Sequence, residues 1–150
     1  MRKFFISAYQ STLFNRLLTR RLDTLDQLKA GDLAWIHNKG AVFSVQDPAV
    51  EQPRADALEI SPSGPLFGFK MTMPQGVPGK MEQHIQAEES LTLDHWRTAK
   101  CKGARRPLRF PLLKSKIWYD DGLMVSFVLP PGCYATVVLD EIMKPSNTTT

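Results

Sequence analysis

The stretch "GAVFSVQDPAVEQPRADALEISPSGPLFG", residues 40–68, changes its local pattern three times. "AVFSVQ" reads as a strand. At residue 47 a short helix begins and runs to residue 57, with Asp47 as N-cap and Pro48 at its first position. Pro53 is expected to limit its length, because proline removes an intrahelical hydrogen bond. "ALEI" returns to a short strand, and "SPSGPLFG" follows as a loop rich in Gly, Pro and Ser.

Working outward, "LAWIH" and "AVFSVQ" form a hairpin around "NKG", where Asn38 and Gly40 supply the turn chemistry. Upstream, residues 4–25 read as a helix with Ile6, Leu13 and Leu17 in one line. Phe5, Tyr9, Phe14 and Leu18 flank that line, so the helix expects partners on more than one side. Downstream, "PGKMEQHIQAEESL" and "TLDHWRTA" read as two further helices, the second capped by Thr92. From Arg105 the chain is extended through "RRPLRFPLL" and "KIWY", then turns at "DDG", residues 120–122. "LMVSFVLP" is apolar on both faces, which predicts a central strand. "CYATVVLDEIMK" reads as a final helix, and the tail 145–150 as disordered. The fold class is α+β, a mixed or antiparallel sheet with packed helices.

Charge is divided sharply along the chain. Residues 1–21 carry five basic side chains and no acid, and residues 100–116 carry seven, again unopposed. Between them, residues 22–99 hold six basic against eleven acidic residues, and residues 117–150 hold one against four. Such segregation points to a polyanionic partner. No apolar run approaches the roughly 20 residues of a membrane span, so no membrane role is expected. Cys101 and Cys133 have no CxxC spacing, and His37, His84 and His95 are scattered. Neither a disulfide framework nor a metal site is expected, and a reducing cytoplasm is the expected compartment.

The residues alone yield no active site. Asp120 and Asp121 stand beside Gly122 as a turn, Ser63 lacks a nucleophile-elbow context, and the loop glycines lack the flanks of a phosphate cradle. Cys101 lies among cations, with no identifiable partner base.

Four segments in order carry a resemblance: "SAYQSTLFNRLLTRRL" (7–22), residues 40–68, "KGARRPLRF" (102–110) and "LPPGCYATVVLDE" (129–141). Together they resemble the later part of the TruD family of tRNA pseudouridine synthases. The family isomerises uridine in RNA to pseudouridine with a catalytic aspartate and no cofactor. The resemblance implies that residues 1–109 are the TRUD insertion domain and residues 110–150 the end of the catalytic domain. It also implies that the catalytic aspartate lies upstream of Met1, so that this chain alone is inactive and needs the N-terminal catalytic region as partner. Lys100, Lys102, Arg105, Arg106 and Arg109 are then expected to face RNA, and Tyr134 to line the base pocket. On an extended strand Arg105 and Arg109 share a face and Arg106 takes the other, so Arg106 is the one expected to pair with an internal acid. The contrasting reading is a stand-alone, non-enzymatic RNA-binding module. The residues fix neither oligomeric state nor target uridine.

Overall fold

In the computed structural model, which describes residues 2–144, the chain divides between Arg109 and Phe110 into two units. The first is built on a four-stranded sheet of β1 (Leu33–Ile36), β2 (Ala41–Ser44), β3 (Ile60–Leu66) and β4 (Ala104–Pro107), in the order β2-β1-β3-β4. Every pairing is antiparallel. Helices α1 (Arg2–Arg20), α2 (Pro48–Asp56), α3 (Gly76–Glu88) and α4 (Leu93–Thr98) complete it. The architecture is α+β with antiparallel sheets and packed helices.

The main departure from the sequence reading is β3. "ISPSGPL" is a buried strand in the middle of the sheet, not a strand end followed by a loop. Two prolines are tolerated because the pairing is staggered. Residues 60–62 pair with β1, whereas residues 63–66 pair with β4. Each half of β3 is thus laddered mainly along one side, the Pro62 carbonyl also accepting the Leu108 N–H at 2.9 Å, and the prolines keep a nearly edge-like setting. Gly64 serves a different purpose. A Cβ there would come within 2.9 Å of Leu108 and Phe14 side-chain atoms, so the bare glycine lets α1 settle onto the sheet.

That contact seeds the larger core, in which Leu13, Phe14 and Leu17 of α1 meet Phe67, Ile85, Trp96 and Leu108. A second cluster joins Leu28, Ala34, Val45, Ala55 and Ile60. Helix α1 ends at Arg20, short of the expected residue 25. Arg21 turns its side chain inward instead, and a single 3-10 turn, Leu22–Thr24, follows. In α2 the Asp47 carboxylate accepts from the Ala49 N–H as a cap, and the helix continues past Pro53 to Asp56. Thr92 caps α4, its N–H donating to His95 Nδ1 at 3.1 Å.

The second unit holds a two-stranded antiparallel sheet, β5 (Leu113–Tyr119) with β6 (Leu123–Val128), and helix α5 (Ala135–Met143). Among the described residues β6 pairs with β5 alone, so the central position expected from its two apolar faces is not realised. Val138 is the one buried hydrophobic residue described in this unit. Ile117, Leu123, Tyr134, Val137 and Ile142 are exposed. The tail expected to be disordered lies outside the described residues. Among the described residues no helix is long and apolar enough to cross a membrane.

Candidate nucleic-acid interface

The arginines of "ARRPLR" follow the strand period, but the inward face is the one that holds Arg105 and Arg109. Arg105 forms a two-pronged pair with Glu82 of α3, both N–O distances being 2.8 Å. It also donates to the Ser63 carbonyl at 2.7 Å and the Ser63 hydroxyl at 3.2 Å. The Ser63 hydroxyl in turn donates to the Leu33 carbonyl at 2.5 Å, tying β4 through β3 to β1. The Arg105 and Glu82 side chains are 5% and 2% exposed. Burial pushes the Glu82 carboxyl above its ordinary value, and Arg105 opposes that push.

A second buried pair adjoins it electrostatically. Arg21 meets Asp32 at 2.5 Å, both side chains being 2% exposed, and Arg21 also donates to the Gln27 carbonyl at 2.9 Å. Asp32 accepts the Lys29 N–H at 2.8 Å. The charges of Asp32 and Arg21 are both felt at Glu82.

Arg109 points to the same side as Arg105. It donates to the Ala55 carbonyl and, at 3.2 Å, to the Ser61 hydroxyl. Ser61 lies 2.8 Å from His37 Nε2. The same hydroxyl thus joins Arg109 and His37, with the direction of its bond to the ring set by the His37 tautomer. Burial, then the Arg109 charge, hold the His37 pKa below its ordinary value. Although serine and histidine stand at bonding distance, Ser61 is wholly buried in β3, so no substrate reaches it.

Arg105, expected to face RNA, is held by an internal acid, because the pleat turns it toward α3. Arg106 takes the opposite face, its guanidinium 5.6 Å from the centroid of the Phe14 ring. Lys100 and Lys102 are exposed. Lys100 adopts a left-handed backbone at φ 54° just after α4. Tyr134, in the second unit, stands at the N-cap of α5 and is 71% exposed. Asp120 and Asp121 form the hairpin turn read from the sequence, with the Asp120 N–H donating to the Gly122 carbonyl at 2.9 Å.

The first unit also holds a cleft of about 480 Å³ that sequence reasoning missed, lined by Lys3, Ile6 and Gln10 of α1 and by Lys100 and Cys101. Gln10 donates to the Phe67 carbonyl at 2.5 Å and to the Cys101 sulfur at 2.9 Å, closing the floor. Only the charge blocks hinted at this cleft. Among the described residues no cluster of three metal-binding side chains occurs.

Comparison with known proteins gives a consistent result. The family model described as tRNA pseudouridine synthase D (TruD) matches residues 1–142. The tRNA pseudouridine synthase D of Geobacter metallireducens is 49% identical over 148 residues, covering 96% of this chain and 37% of the relative. That of Thermus thermophilus is 42% identical over 147 residues, covering 96% of this chain and 40% of the relative. Among solved structures, the TruD crystal structure from Methanosarcina mazei superposes with a TM-score of 0.73 at 25% identity, covering 93% of this chain and 37% of that one. The chain thus spans little more than a third of the length of the Geobacter metallireducens relative.

Proposed function

The chain belongs to the tRNA pseudouridine synthase D (TruD) family, and from that premise we propose that it supplies the RNA-binding part and one wall of the base pocket of a uridine-isomerising enzyme. The reaction breaks the N1–C1′ glycosidic bond, rotates the base and rejoins it through C5, which gives up its proton. The target must first leave its stack, at a cost of a few kcal/mol. A cationic surface, a slot for the base and a reactive carboxylate are therefore needed. Lys100 and Lys102 provide exposed cations for phosphates. Tyr134, with most of its ring exposed, provides a stacking surface, and stacking on one base is worth roughly 1–3 kcal/mol. Arg105 and Arg109 hold the framework through their bonds to Glu82, Ser63, Ser61 and Ala55. The catalytic aspartate is assigned to polypeptide outside these 150 residues. On this reading residues 1–109 are the TRUD insertion domain and residues 110–150 a piece of the catalytic domain.

The observation that carries the reading is the surface of the second unit. A hairpin and a helix with a single buried hydrophobic among the described residues cannot offset the entropy of ordering them, so their apolar faces call for further polypeptide. The Geobacter metallireducens relative, of which this chain matches 37%, is long enough to hold such polypeptide, which supports the reading.

Tritium release from C5-labelled uridine in tRNA tests the assignment. The chain alone is expected to release none. Adding the N-terminal two-thirds of the Geobacter metallireducens relative is expected to restore release. Robust release by the chain alone would mean that its own residues carry the chemistry.

A further inference from the structure

We propose that the cleft between the first turns of α1 and the segment after α4 is a subsite for one nucleotide of the bound RNA strand, with its phosphate held between Lys3 and Lys100. The inference rests on the RNA-binding function proposed above and adds to it a location and two residues.

The two unopposed basic blocks lie far apart in sequence, yet the fold brings a lysine from each to this one cleft. Several other cations of these blocks in the first unit are held in ion pairs within the protein. Arg16 pairs with Glu89, Arg20 with Glu88, Arg21 with Asp32 and Arg105 with Glu82. Among the described residues Lys3 and Lys100 enter no ion pair.

The lining also has the chemistry of a nucleotide site. No carboxylate among the described residues lines the cleft, so nothing there repels a phosphate. Ile6 gives an apolar wall, and Gln10 a polar floor whose amide is already anchored. A volume of about 480 Å³ falls in the usual range for small-molecule sites, roughly 300–1,000 Å³. That suits a single nucleotide of an unpaired strand. Phe4 and Phe5, on the same turn of α1 as Lys3, are exposed and offer aromatic faces suited to stacking with neighbouring bases.

Two measurements on the 150-residue chain test this. In a Lys3→Glu/Lys100→Glu variant, affinity for tRNA is expected to fall at least tenfold, and the slope of log K against log salt to flatten by about 1. In a Cys133→Ser background, tRNA is expected to slow alkylation of Cys101, which lines the cleft, several-fold. Tight tRNA binding with unchanged affinity in the double variant and unshielded Cys101 would overturn the cleft while leaving the RNA function standing. No tRNA binding by the unaltered chain would overturn both.

Discussion

Arg105 and Lys102 are three residues apart and have opposite fates, and the difference is solvation. A guanidinium can satisfy its donors bidentately on a carboxylate and tolerate burial, whereas an ammonium is strongly hydrated and stays at the surface. Glu82→Ala should therefore leave a buried, unpaired Arg105 and cost about 3–5 kcal/mol in urea unfolding. Lys102→Ala should leave the unfolding midpoint within experimental error while weakening tRNA binding. His37 makes the fold sensitive to pH in a defined direction. Its folded pKa is depressed, so the unfolded chain takes up the proton first, at about 6.5. The stability it contributes is complete above that value and is lost as pH falls toward the depressed folded value. Denaturation at pH 7.5 and 5.5 should show this loss, and His37→Gln should reduce it.

At the scale of elements, the signals carried by neighbours in sequence were readable and those carried by distant partners were not. Asp47 and Thr92 cap their helices as their local spacing requires. The hairpin of β1 and β2 follows from its turn residues. By contrast, "SPSGPL" has the composition of a loop, and only the staggered pairing of β3 with β1 and β4 makes it a strand. Glu82 was invisible as a buried acid because it sits among the charged residues of a surface-like helix sequence. Its partner is brought to it by β4, which lies far along the chain. Gly64 is the point at which α1 depends on β3. Gly64→Ala should force Phe14 and Leu108 to shift and lower stability by about 1–3 kcal/mol, read as a reduced thermal midpoint with the tRNA salt slope unchanged.

At the scale of the whole molecule, the two units differ in what they bury. The first has two apolar clusters and two buried ion pairs, and residues 1–109 alone should unfold in one cooperative urea transition. Residues 110–150 alone should show no transition, since Val138 is the one buried hydrophobic described there. The double-sided apolar pattern of β6 did say that this strand wants neighbours. It could not say that those neighbours are absent from the described residues.

The burial of Arg21 and Arg105, beside the exposure of Lys3, Lys100 and Lys102, means that the scaffold and the cationic surface answer to different reagents. Acetylation neutralises an amine and spares a guanidinium. An acylating agent, chemical or enzymatic, would therefore discharge Lys3, Lys100 and Lys102 while the pairs made by Arg21 and Arg105 stayed closed, so the fold would persist without the cations proposed to meet phosphate.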